Sequence, residues 1–115
     1  MNTSKVVDKL WGKEAWLVND KGANYCIKRM LLNPGYRCSE HYHKVKDETF
    51  YVLEGIVRLV VNGEEHILET DDFMRIEPFD IHYFEAVTPN GALFLECSTY
   101  HDDNDVVRMT DSKKL

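Results

Sequence analysis

The sequence predicts an all-β barrel or sandwich, on three observations. Turn residues recur at short intervals: Asn33-Pro34-Gly35, Glu54-Gly55, Asn62-Gly63, Asp71-Asp72, Pro78 and Pro89-Asn90-Gly91. The segments between them, NYCIKRMLL, RCSEHYH, ETFYVL, IVRLVV, EEHIL, FMRI, IHYFEAV and ALFLECST, are strand-sized and rich in β-branched and aromatic residues, with partial period-two alternation. Regular short strands of this kind belong to sandwiches and barrels. Third, Asn62-Gly63 is a type I′ turn signal, since both central residues of that turn need positive φ. Segments 56–61 and 64–68 should therefore pair directly as a hairpin.

The 115 residues leave room for one domain around one core. Within it, residues 1–23 read as an N-terminal arm of weak periodicity, 24–99 as the barrel, and 100–115 as a polar tail with a short helical turn. Apolar residues make up 43% and charged residues 30%, the balance of a globular chain in water. The longest apolar stretches are strand-sized, far below the roughly 20 residues of a bilayer crossing. The opening MNTSKVVDKLWGKE lacks the apolar run of a secretory signal, so a cytoplasmic protein without membrane partners is expected. A net charge of -6, with Asp102, Asp103 and Asp105 close together, argues against nucleic acid as a partner. Cys26, Cys38 and Cys97 are scattered without CxxC spacing and read as buried small hydrophobes.

The chemistry concentrates between Gly35 and Gly55, in GYRCSEHYHKVKDETFYVLEG. On a strand, residues two apart share a face, so His41 and His43 project together as half of a metal site. Four residues form a turn, and Glu48 then opens the next strand, where its carboxylate can face the same interior. His82, in IHYFEAV, could complete the set. Imidazoles with one carboxylate suit a divalent transition metal such as manganese, iron or zinc better than calcium or magnesium. His66, in EEHIL, reads as a solvated residue outside this set.

The pattern GxxxxxHxHxxxxExxxxxxG is identified in full as the first motif of the cupin family, and His82 holds the histidine place of the second. The second motif departs from the family at Asp71, Glu77, Phe79 and Ala86, where Gly, Pro, Gly and Asn are usual. The resemblance implies a single-domain cupin β-barrel of the double-stranded β-helix, jelly-roll type, with one divalent metal on His41, His43, Glu48 and His82. KLWGKEAW with YCIKRMLLNPG resembles the opening of cupin-type phosphomannose isomerases, and LECSTYHDDNDVVRM the close of sugar-isomerising cupins. D-lyxose isomerases are similar in two further places. Lys46 stands two residues before the metal-site glutamate, and Glu96 stands in the strand-end glutamate position that serves in proton transfer. These resemblances imply a metal-dependent aldose–ketose isomerase for a sugar or sugar phosphate, with Lys46 and Glu96 catalytic. Glu96 also interrupts the apolar run ALFL, where a carboxylate needs a partner or a function.

Two other readings share the fold: an iron-dependent cupin dioxygenase, which an aromatic pocket around Phe50 and Phe84 would favour, and a non-catalytic sugar-binding cupin. For substrate binding, Lys28, Arg37 and Phe84 are the candidates. Strand parity sends Arg37 and Ser39 to the face of His41. Trp11 and Trp16 read as packing anchors, and Tyr42 and Tyr51 as outward or subunit-contact residues. A barrel this small with open sheet edges is expected to pair with a second copy as a homodimer.

Overall fold

The computed structural model describes residues 5–115; residues 1–4 of the predicted arm lie outside the described residues. Thirteen strands run in chain order: β1 (Lys5–Lys9), β2 (Gly12–Asp20), β3 (Tyr25–Leu32), β4 (Tyr36–Arg37), β5 (His41–His43), β6 (Glu48–Glu54), β7 (Val57–Val61), β8 (Glu64–Leu68), β9 (Phe73–Ile76), β10 (His82–Ala86), β11 (Ala92–Ser98), β12 (Val106–Arg108) and β13 (Lys113–Lys114). A 3₁₀ turn at Asp103–Asp105 realises the helical turn expected in the tail. No helix among the described residues is long and apolar enough to cross a membrane.

The strands form two antiparallel sheets, one ordered β1-β2-β3-β11-β6-β9 and the other built around β10, which pairs with β4 and β5 along one edge and with β7 along the other. β7 and β8 pair as the predicted hairpin, and Asn62 and Gly63 at its tip carry φ of 50° and 80°. Asp71 and Phe79, which replace glycines of the usual second motif, also keep left-handed backbone, each at φ 71°. For a residue as bulky as Phe79 this conformation costs on the order of 1 kcal/mol or more. Its ring stacks on Tyr42, with centroids 6.0 Å apart.

From Lys5 on, the weakly periodic N-terminal segment forms strands: β1 and β2 make a hairpin, and β2 pairs with β3. A register shift between Trp16 and Val18 breaks the alternation there, which is why period two is hard to see in the sequence. In the tail, β12 lies against β5 and β13 against β4.

Inward positions along the strands divide the interior into two ends. On β3 they run Leu32, Met30, Lys28; on β11, Ala92, Phe94, Glu96; on β6, Val52, Phe50, Glu48; on β10, Phe84, His82. The first members of each series join Trp11, Leu59 and Ile76 in one apolar core. Charged and imidazole side chains fill the other end.

Candidate metal centre

His41 and His43 lie on β5 and His82 opens β10, directly opposite His41 in the ladder. Ring centroids are 4.4 Å apart for His41–His82, 5.2 Å for His41–His43 and 5.8 Å for His43–His82. One ligand nitrogen from each histidine lies within 4.8 Å of the other two, so the three could hold a metal ion. Glu48 sits beside two of them, with Oε2 3.3 Å from His43 Nε2 and Oε1 3.3 Å from His82 Nε2.

Backbone carbonyls fix the imidazoles. Nδ1 of His41 faces Ser39 O at 2.7 Å, that of His82 faces Asp80 O at 2.8 Å, and that of His43 faces Asp105 O at 3.3 Å. A carbonyl only accepts, so each Nδ1 carries the hydrogen and each Nε2 keeps a lone pair for a ligand. Burial pushes His41 down to about 3 and His43 down to about 4, so both are neutral at pH 7. Burial also disfavours a charge on His82, but the Glu48 carboxylate outweighs it and shifts His82 upward. Glu48 is 2% exposed, and burial alone would raise it; Lys46, His82 and His43 outweigh that and hold it well below the usual carboxylate range. Both Glu48 oxygens and His82 Nε2 are buried without an aligned hydrogen-bond partner among the described residues. Orphaned buried atoms of this kind call for a partner. A lone pair next to an anionic carboxylate is a place for a cation, so these residues fit a divalent transition metal.

A row of alternating buried charge crosses four neighbouring strands behind this cluster. Glu14 of β2, Lys28 of β3, Glu96 of β11 and Glu48 of β6 face inward, with Lys46 of the β5–β6 loop between the last two. Lys46 Nζ lies 2.7 Å from Glu96 Oε2 and 3.3 Å from Glu48 Oε2. Burial works against the Lys46 ammonium, yet Glu96 and Glu48 more than offset it and raise its pKa. Lys28 Nζ lies 3.8 Å from Glu96 Oε2 and 3.5 Å from Glu14 Oε1, with the Trp16 ring 4.2 Å away. The structure thus brings Lys46 and Glu96 together with the three histidines and Glu48.

Two of the three substrate-binding candidates, Arg37 and Phe84, lie outside the imidazole cluster. Arg37 does not share the face of His41: it ion-pairs with Glu85, its cross-strand neighbour, and its guanidinium lies 4.4 Å over Tyr83. Strand β4 ends at Arg37, Cys38 turns into the core, and the irregular backbone over 38–40 breaks the parity used to place it. Phe84 is 3% exposed and packs edge-on against Trp11, Phe50 and Phe94, so it belongs to the apolar core below the site. Lys28, 1% exposed, stands behind Glu96. Trp11 is the packing anchor expected, whereas Trp16 faces the charge row, its Nε1 donating to Glu14 Oε1 at 2.9 Å.

Sequence reasoning missed Glu14, His101 and Asp105. The Asp105 carboxylate accepts from the backbone N–H groups of Lys44, Val45 and Lys46 at 3.0–3.2 Å, clamping the loop that presents Lys46. Single charged residues in a polar tail carry no pattern that could reveal this.

Residues 28–97 match the family model described as "Cupin domain". The mannose-1-phosphate guanylyltransferase RfbM of Salmonella typhimurium is 27% identical over 86% of this chain, which spans 21% of that protein. The D-lyxose/D-mannose isomerase of Thermosediminibacter oceani is 32% identical over 69% of this chain and 58% of its own length. Among solved structures, KdgF from Halomonas sp. superposes with a TM-score of 0.76 at 17% identity, covering 87% of this chain and 89% of that one. A Bacillus subtilis oxalate decarboxylase superposes at 0.77 and 21% identity over 92% of this chain and 30% of its own. The structural likenesses show the fold, the family match covers more than half the sequence, and on these grounds the chain belongs to the cupin family.

Proposed function

We propose that this cupin is a metal-dependent aldose–ketose isomerase acting on a sugar or sugar phosphate through an enediol. The observation that carries the reading is the 2.7 Å contact of Lys46 Nζ with Glu96 Oε2, buried beside the three imidazoles and Glu48. The reaction needs a group that takes a proton from the carbon next to a carbonyl and returns it to the neighbouring carbon. Glu96 is the carboxylate for that step. Lys46 orients it and sets a positive charge where the substrate oxygens become negative. A divalent ion of manganese, iron or zinc on His41, His43, His82 and Glu48 would supply Lewis-acid polarisation of a carbonyl. The charges of Lys46 and Glu96 beside the imidazoles support a polyhydroxylated substrate over the apolar one of an oxygenase. The similarity to a D-lyxose/D-mannose isomerase and to mannose-1-phosphate guanylyltransferases points the same way.

Ketose formation from a panel of aldoses and their phosphates, with metal content measured on the same sample, tests this. Turnover of at least one sugar, rising with metal content, is expected; no turnover by metal-loaded protein would overturn the reading.

The reading includes a homodimer. Among the described residues β1 and β9 are open edges of the six-stranded sheet, and Leu17, Tyr25, Leu31 and Phe73 are exposed on its strands. Light scattering at micromolar concentration should give twice the chain mass, and a monomer mass would refute pairing.

A further inference from the structure

His101 belongs to neither the metal cluster nor the charge row, yet it is buried against both. Its backbone is pinned by Asn19 of β2, which accepts from His101 N at 2.9 Å and donates to His101 O at 3.0 Å. The Trp16 ring meets the imidazole edge-on, with centroids 5.0 Å apart. The side chain therefore has a fixed place, 7% exposed.

Each ring nitrogen has a single polar partner. Nδ1 lies 2.9 Å from Lys46 Nζ, and Nε2 lies 2.8 Å from Asp103 Oδ1, whose side chain is 80% exposed. An ammonium has only donors and a carboxylate only acceptors. Nδ1 must therefore present its lone pair to Lys46, while Nε2 carries the hydrogen and donates it to Asp103. Among the neighbours of Lys46 Nζ, His101 Nδ1 is the one aligned as a hydrogen-bond acceptor; Glu48 and Glu96 attract the ammonium as charges without that alignment. Direction for the ammonium thus comes from the imidazole, and the imidazole's tautomer is set from the surface.

We infer that Asp103 and His101 form a positioning dyad that aims Lys46 at Glu96, with His101 acting through Lys46 and not touching substrate. The inference deepens the isomerase reading and rests on it for its kinetic consequence; the hydrogen-bond arrangement stands independently. A carboxylate that fixes the tautomer and orientation of a working histidine is a known device. Residues that orient a working group in this way typically contribute ten- to a hundredfold to activity.

Two variants and one spectroscopic measurement test it. His101→Leu removes the acceptor, and His101→Asn sets an amide oxygen near the place of Nδ1. With a sugar that the wild type isomerises, His101→Leu should lower kcat by about ten- to a hundredfold with KM little changed, and His101→Asn should recover most of that loss. Unchanged kcat in His101→Leu, or equal loss in both variants, would overturn the role. The second arm needs no substrate: nitrogen NMR of histidine-labelled, zinc-loaded full-length chain should show His101 neutral with its proton on Nε2, and Lys46→Met should shift the Nδ1 resonance. A proton on Nδ1, or an Nδ1 resonance indifferent to Lys46→Met, would refute the dyad. Absence of turnover on every sugar would sink the isomerase reading while leaving this second arm to decide the hydrogen-bond arrangement.

Discussion

Replacing Glu96 by glutamine should cut turnover of any sugar this protein isomerises by about a hundredfold or more, with metal content unchanged. The amide keeps the size of the carboxylate and an oxygen facing Lys46, whose Nζ lies 2.7 Å from Glu96 Oε2, but it cannot take up a proton. Metal content should survive because Glu96 is separated from the imidazole cluster by Lys46. KM should move less than kcat, since the lost interaction belongs to the transition state. Exchange of the sugar's C2 proton with deuterated solvent, followed by NMR, should fall in parallel. Full activity in Glu96→Gln would remove Glu96 from the proton-transfer role even with the metal site intact.

His43→Ala should weaken metal binding by at least about a hundredfold, because even partners that merely orient a ligand cost ten- to a hundredfold when lost. His43 is buried with its Nδ1 turned to Asp105 O, so its Nε2 has no other use than the cluster it shares with Glu48. His66→Ala is the matched control: His66 sits in the β7–β8 hairpin opposite Leu59 and should leave metal content as in the wild type. Elemental analysis after identical purification decides between them. Equal metal in the wild type and the His43 variant would undo the assignment.

Much of the metal cluster was legible because its geometry is local. Two strand residues of one parity bring His41 and His43 together, and a four-residue turn brings Glu48 back to them. Glu96 was legible by contrast, as a carboxylate within an apolar run, and the Asn62-Gly63 hairpin by the φ its turn demands. Arg37 failed because parity survives only while a strand continues, and β4 stops there. Glu14 was hidden by the register shift at Trp16, two residues on, which scrambles alternation in β2. His101 and Asp105 reach the site from a tail whose strands are two or three residues long, held by pairing with β4 and β5. Such pairing is a long-range contact that no local pattern announces. The changes at Asp71 and Phe79 read as a weakened second motif, yet the backbone keeps the left-handed turns that glycine usually provides.

The division of the interior by strand position has a consequence for how this molecule can change. Phe94 and Glu96 are neighbours on one face of β11, about 6.6 Å apart along the strand, yet they answer to different demands. A substitution at Phe94, in the dry end, would register in melting temperature; one at Glu96 would register in turnover. Buried charge rows such as Glu14, Lys28 and Glu96 are seldom the most stable filling of a core, and coordinated apolar replacement is often neutral or favourable by about 1–4 kcal/mol. Catalytic drift and thermal hardening can therefore proceed along the same strands at separate positions. A descendant whose charge row had been replaced by apolar side chains could become the sturdier barrel.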